Sequence, residues 1–228
     1  MEVINAIEGR RSIREFKSDI VSSEDITVII KAAIAAPSKG NSQIWEFVVV
    51  TGEKKRVMDE MLLNLLKTDF IPSMKLSEFN EVTSSEALKK AERRSSHHRQ
   101  EMSKILSPLG LSVDEFMLEG TFSFFGAPVA ILIFVDEVFA KDLPHTLSIG
   151  AAVQNILLAA MDKGLGTCWI GGIWRYTKDI RTYLGIPDNK KLFSAIALGH
   201  PDINSPVNKY KSTRDDIKEF VRWIGFEG

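Results

Sequence analysis

Apolar positions recur along the chain with two periods, and the switches between them mark out helices and strands. Val3, Ile4 and Ile7 share one helical face, and Gly9 follows as the stop. Ile26, Ile29, Ile30 and Ala33 repeat at helical spacing. Ser22 precedes them with Asp25 three residues later, which is a capping-box signal, and Pro37 closes that helix. Residues 37–43 are loop chemistry, and residues 45–51, an aromatic start followed by valines, read as a strand. Residues 53–67 form an amphipathic helix with Val57, Met58, Met61, Leu62 and Leu65 inward. From 84 to 107 the chain turns polar, with a thin apolar stripe of Leu88, Ala91, Met102, Ile105 and Leu106, which predicts a solvated helix or helical excursion. Residues 129–135 are continuously apolar between Pro128 and Asp136, as in a central strand buried on both faces. Residues 146–163 are apolar nearly all round and predict a buried helix, capped by Gly164. A strand at 165–170, a short helix at 177–184 and a strand at 192–198 follow, with Gly199 and Pro201 closing the last. The tail from Asn204 reads as loop until Arg214, after which a short helix is expected.

Helices and strands alternate, but four strands are few for 228 residues, so an α+β or three-layer α/β domain is expected. A chain of this size buries roughly 70% of its unfolded surface, enough for a full core. With 44% hydrophobic and 26% charged residues, disorder is excluded. A net charge of -1 argues against general nucleic-acid binding, which needs a basic face. Cys168 is the only cysteine, which excludes an intrachain disulfide and a Cys-rich zinc site and suits a reducing, cytoplasmic compartment. The first fourteen residues lack the apolar stretch of a signal peptide. The apolar run at 127–135 is far shorter than the roughly 20 residues a membrane helix needs. The run at 149–161 is interrupted by Gln154 and Asn155, so a soluble, unanchored chain is expected.

Three stretches carry candidate chemistry, and each has a plainer structural reading beside it. Arg10, Arg11 and Arg14 surround Ser12 just past a helix; guanidinium forks plus a hydroxyl suit a phosphate, or the patch is a solvated turn. The loop holding Pro37, Ser38, Asn41 and Gln43 offers amides that read an edge of alternating donors and acceptors, or it is an ordinary helix-to-strand connection. Gly171 and Gly172 follow a strand and leave bare backbone for a flat ligand, or they form a turn and a bulge. The Gly-x-Gly at 164–166 precedes its strand, unlike a dinucleotide fingerprint. Cys168, within an apolar strand, reads as a buried inert thiol rather than a nucleophile. His97 and His98 point to different faces of one helix, His145 and His200 stand alone, and no metal-ligand cluster or acid–base constellation is visible.

Taken in order, these pieces resemble the nitroreductase family of FMN-dependent flavoproteins. The resemblance is carried by residues 10–16, by Ala35-Ala36-Pro37-Ser38 with Asn41, Gln43, Trp45 and Phe47, and by Gly126-Ala127-Pro128 before a strand. Residues 164–172 after the buried helix and 197–201 with Arg214 beyond complete it, so it covers nearly the full chain. It implies a three-layer α-β-α fold with a mixed, mostly antiparallel central sheet, a helical excursion at 72–120 and a domain-swapped homodimer with two FMN sites at the interface. By motif position, Arg10, Ser12 and Arg214 resemble the phosphate and ribityl contacts, with Lys211 assisting and Arg11 in the same motif. Arg14 resembles the cation near the flavin N1/O2 edge, which favours the reduced anionic flavin. Pro37, Ser38, Asn41 and Gln43 resemble the loop that lines the flavin from the other subunit, and Gly171 and Gly172 the backbone facing N5.

The implied reaction is ping-pong: NAD(P)H reduces the flavin and leaves, then an electron-poor acceptor such as a nitroaromatic or quinone takes the electrons. No catalytic side chain is required, because the flavin carries the chemistry. The family commonly has proline where this chain has Ile44, which removes no ligand. The excursion matches no motif, and its stretch from 84 to 119 is expected to shape the acceptor pocket while leaving the flavin site alone. It leads to Phe122, Phe124 and Phe125, which are either acceptor-stacking faces or core. Reductive dehalogenation or flavin destruction on the same scaffold, and flavin binding without turnover, are the rival readings.

Overall fold

In the computed structural model, residues 2–68 and 86–226 are described. The part of the expected excursion from 72 to 85 lies outside them. Among the described residues there are four strands: β1 (Trp45–Thr51), β2 (Val129–Asp136), β3 (Gly166–Ile170) and β4 (Lys190–Gly199). They form one sheet in the order β1-β2-β4-β3, and every pairing within it is antiparallel. This agrees with the expected mostly antiparallel sheet; the parallel element among the described residues is a single bridge between Ser12 and Thr167, where the N-terminal arm meets the β3 edge.

β2 explains the layering. Ala130, Leu132 and Phe134 point into one apolar cluster, with Met58 and Leu62 of helix α3 (Gly52–Thr68) and with Phe122 of helix α5 (Val113–Phe122). Ile131, Ile133 and Val135 point into the opposite cluster, with Ile29 and Ala33 of helix α2 (Ser23–Ile34) and Ile149, Val153 and Ile156 of helix α6 (Leu143–Asp162). Alternation with period two therefore builds a core on both faces of one strand, which is why β2 reads as unbroken apolar sequence. Helix α7 (Thr177–Leu184) lies on the α3 and α5 side through Ile180. The long polar helix α4 (Glu86–Leu106) joins at the flank, burying Met102 and Leu106 against Val207 of the short helix α8 (Pro206–Lys209).

Local signals hold where the chemistry is local. Ser22 Oγ accepts from Asp25 N at 3.0 Å and starts α2. Two expectations change with tertiary context. The apolar face of helix α1 (Val3–Gly9) is turned outward, with Val3 66% and Ile4 62% exposed and only Ala6 buried. Helix α6 is not buried all round: Leu143 and Leu147 stay open while Ser148 to Ala160 supply its buried face. By length and composition α6 would also span a membrane, and its packing on the sheet accounts for that apolar character. After Arg214 the chain makes one 3-10 turn (Ile217–Glu219) in place of the expected helix.

A buried ion pair escapes any reading of periodicity. Lys55 is only 4% exposed, its Nζ sits 2.5 Å from Asp59 Oδ2, and it lies over the Phe124 ring at 5.1 Å. The second Asp59 oxygen is buried without a hydrogen-bond partner. Burial pushes the Asp59 carboxyl up from 3.8 to about 6, with Glu60 adding to the rise and Lys55 opposing it; burial likewise pushes Lys55 down. A carboxyl raised in the folded state stabilises fully below its unfolded pKa and loses that contribution as pH climbs through about 6. Asp59→Asn removes this slope. The variant is expected to gain about 2 kcal/mol on the wild type between pH 4 and pH 7, read by urea unfolding across that range; a constant difference would show that Asp59 titrates normally.

Candidate functional site

The arm that follows α1 is stitched to the β3 edge and to α8. Ile13 N donates to the Thr167 carbonyl at 2.9 Å, Lys17 N to the His200 carbonyl at 2.9 Å, and Phe16 bridges Pro201. Asn208, 1% exposed, is the clamp on the other side. Its Oδ1 accepts from Arg14 N at 2.8 Å, and its amide donates to the carbonyls of Glu15 at 2.6 Å and Asp202 at 2.9 Å. Ser205 Oγ donates to Glu15 Oε2 at 2.6 Å. The backbone bonds of the arm are thus spent on holding it, which leaves its arginine side chains free for other work.

Both key guanidinium groups carry unmet hydrogen-bond capacity. Arg10 Nε and Arg14 Nε are buried and have no partner. A buried donor without an acceptor costs about 1–3 kcal/mol, so these positions call for an anionic or carbonyl-bearing ligand. Arg10 and Arg11 line a cavity of about 250 Å³ beside Gly164, Gly166 and Asn208. Arg14 faces inward: its charge lowers the Cys168 thiol against the larger rise from burial and adds to the lowering of His98, which burial dominates. Cys168 is buried with its thiol pushed up, the inert reading.

Gly166 is where the arm depends on a missing side chain. A Cβ there would sit 2.7 Å from Ile13 Cγ1 and 3.0 Å from its Cβ, too close to be absorbed without moving Ile13. Gly166→Ala is expected to cost about 1–2 kcal/mol of stability and to weaken cofactor retention, although Gly166 carries no group that binds one. Thermal unfolding and flavin titration of the variant check this; an unchanged midpoint with unchanged flavin content would show that the arm yields freely.

The loop at 37–43 is preorganised. Gly40, Asn41 and Gln43 all have positive φ (57°, 55° and 45°), a conformation glycine and asparagine tolerate and glutamine does not readily adopt. Ser38 Oγ accepts from Gln43 N at 3.1 Å, and Gln43 Nε2 donates to Asn41 O at 3.2 Å and Oδ1 at 3.1 Å. Lys39 N donates to Ser148 Oγ at 3.2 Å, which docks the loop on α6. Pro37, Asn41 and Gln43 are exposed. This loop leads into β1, while the arm bridges β3, and Gly171 and Gly172 directly follow it, at the opposite edge of the sheet. Three interstrand spacings separate the two edges, roughly 14 Å. Within one chain the loop does not share a pocket with the arm.

Gly171 adopts ordinary helical φ and ψ (-87°, -41°), so its backbone does not require glycine. Among the described residues, a Cβ at Gly171 would meet nothing within 4 Å, and one at Gly172 would meet only Thr121 at 3.5 Å.

Arg214 lies apart from Arg10. Its Nη1 donates to the Ser212 carbonyl at 3.3 Å, the Ser212 hydroxyl at 2.8 Å and the Thr213 carbonyl at 2.9 Å. It lines a second cavity, of about 640 Å³, between α4 and residues 210–220. Here the structure shows what the sequence reading missed. Arg93, Arg94, His97 and His98 of α4 share this cavity with Tyr210 and Arg214. The excursion therefore meets the segment assigned to the cofactor site and does not stand clear of it. Arg94 Nε donates to Asp215 at 2.8 Å, Lys90 pairs with Glu219 at 2.8 Å, and His98 Nδ1 lies 2.7 Å from the Tyr210 hydroxyl. The only trace in the sequence is opposite charge at distant positions, Arg93-Arg94 against Asp215-Asp216. Lys211 is exposed next to this segment. Phe122, Phe124 and Phe125 are core, at 3%, 0% and 8% exposure, so they offer no stacking face.

Comparison with known sequences identifies the class. The model of the nitroreductase family matches residues 7–200. The chain belongs to that family. It is 28% identical over 229 residues to a 4-nitrobenzoate reductase of Nocardioides sp. (strain LMS-CY), covering 98% of this chain and 91% of the relative. Among solved structures it is similar to the FMN and NADPH-dependent nitroreductase NfnB of Sphigopyxis sp. strain HMH, with a TM-score of 0.84, 25% identity and coverage of 99% and 100%. It is also similar to the FMN-dependent nitroreductase NfnB of Mycobacterium smegmatis in complex with NADPH, with a TM-score of 0.80, 25% identity and 97% coverage of each chain.

Proposed function

We propose that this protein is an FMN-dependent oxidoreductase that passes electrons from NAD(P)H to a nitroaromatic or quinone-like acceptor, donor and acceptor using the site in turn. The observation that carries the reading is the arm: two buried guanidinium nitrogens without partners, in a chain of the nitroreductase family. Bound FMN supplies the two-electron carrier chemistry that no side chain of the protein provides.

The chain's own residues bind and orient. Arg10 and Ser12, with Arg11 in the same motif, hold the phosphate and ribityl end; Lys211 and Arg214 assist from the segment after α8. Arg14 presents its charge to the ring edge that becomes anionic on reduction, and its backbone bond to Asn208 keeps it in place. Gly171 and Gly172 give the ring flat access to backbone N–H groups. Pro37, Ser38, Asn41 and Gln43 serve the site of a second copy. That assignment is supported by the sheet order, which sets this loop and the arm at opposite edges, and by the exposed apolar residues of α1 and α6, which a homodimer would cover. The single buried thiol suits work in the cytoplasm.

Purified protein is expected to show flavin absorbance bands, to bleach with NADPH under nitrogen, and to recover colour on addition of a nitroaromatic. Binding without bleaching would make it a flavin carrier with no turnover. In sedimentation the flavin should travel with the dimer; a flavin-loaded monomer at micromolar concentration would refute the shared site.

A further inference from the structure

We propose that Ser148, on the second turn of α6, is a positioning residue for the flavin: it fixes the loop at 37–43 in the pose in which that loop serves the site of a second copy. The inference rests on the shared-site reading above and adds to it the residue that sets the loop. The bonds inside the loop close on themselves. Asn41 N donates to the Ser38 carbonyl at 3.0 Å, Ser42 N to the Lys39 carbonyl at 3.1 Å, and Gln43 N to Ser38 Oγ at 3.1 Å. Those bonds shape the loop without tying it to a neighbour. Lys39 makes that tie: its backbone N donates to Ser148 Oγ at 3.2 Å, across 109 positions of sequence.

Ser148 is a buried hydroxyl on an apolar helix face, 6% exposed beside the fully buried Ile149, Ala152 and Val153. It donates to the Pro144 carbonyl at 3.1 Å, four residues back. That bond uses its proton and leaves a lone pair for Lys39 N. Rotating the hydroxyl away would orphan its own donor in the core, so the acceptor is fixed. Lys39 also reaches Asp142, with Nζ at 3.6 Å, but those side chains are 51% and 39% exposed, and an exposed pair of this kind contributes little. The buried bond therefore sets the loop. Just beyond Lys39, Gly40, Asn41 and Gln43 hold positive φ, and Gln43 at 45° is the strained one. Such a conformation persists only where its surroundings fix it, and Lys39 is a point at which the packed molecule does so.

The test removes this one bond from each side. Ser148→Ala takes away the acceptor. Lys39→Pro takes away the donor: Lys39 opens a 3-10 turn and Ser38 before it is extended (φ -136°, ψ 149°), a setting that proline accepts. When FMN is titrated into the full-length apoprotein, affinity is expected to fall about 5-fold in either variant, the scale of one neutral hydrogen bond, and no further in the double variant. The visible circular dichroism of the flavin-loaded protein is expected to change alike in both, because the loop meets the ring in a different pose. A residue that served only the fold would leave that signature in place. Unchanged affinity, losses that multiply in the double variant, or a flavin spectrum of wild-type shape overturns the inference. So does a loss in Lys39→Met equal to that in Lys39→Pro, since methionine keeps the backbone donor and drops only the charge. A variant without both loop amides, Asn41→Gly with Gln43→Gly, separates the two readings, glycine being suited to their positive φ. If it binds FMN weakly while Ser148→Ala does not, the inference fails and the shared site stands. If it binds FMN as tightly as the wild type, the shared-site reading fails and the inference with it.

Discussion

Phe134→Ala is expected to destabilise the protein by about 3–5 kcal/mol, the cost of emptying a filled aromatic site. Phe134 is fully buried on β2, at the register shift against β4, and it faces the cluster that also holds Phe122 and Phe124. Its cluster joins the sheet to α3, α5 and α7, so the cavity has little chance to collapse. The stability of a domain this size is roughly 5–15 kcal/mol, so one such change removes a large share. Urea unfolding followed by far-ultraviolet dichroism checks the figure. A loss below about 1 kcal/mol would mean that the cluster is plastic and that the helices over β2 slide.

Arg10→Ala and Arg214→Ala are each expected to lower FMN affinity by roughly 10- to 150-fold, the worth of one charge-assisted bond at about 1.5–3 kcal/mol. The two positions differ in what they cost the empty protein. Arg10 Nε is buried without a partner, so its removal takes away an unmet donor and is expected to leave the empty protein at least as stable. Arg214 is exposed and turned onto the Ser212 and Thr213 carbonyls, so it also folds normally when truncated. Flavin fluorescence titration of the apoproteins reads the affinity, and thermal unfolding separates it from stability. Two variants that purify fully yellow with unchanged affinity would remove the phosphate assignment from both.

The legibility of the chain followed the range of the forces involved. β1 and α7 were readable to the residue because alternation, an aromatic start and a glycine stop act within a few positions. The Ser22 cap was readable for the same reason: donor and acceptor are three residues apart. The arginine arm and the glycine pair could be singled out as candidates from residue type and order alone. Their partners could not. Asn208 holds Arg14 across 194 positions, and no spacing rule connects them.

Three features were decided only by the folded arrangement. Lys55 lies within a stretch that reads as surface helix, yet α3 rotates it under Phe124, because packing of Met58 and Leu62 sets the helix phase. The polar helix α4 looked separate from the segment around Arg214, and long-range ion pairs to Asp215 and Glu219 bring the two together. The loop at 37–43 and the arm are both candidates by residue type, and the strand order places them at opposite edges of one sheet. Composition, period and capping act locally and act on the chain as written, so they settle which segments become helix or strand and which residues bear chemistry. Which of those residues meet depends on strand order, helix phase and charge pairing between distant segments, and those are properties of the packed molecule.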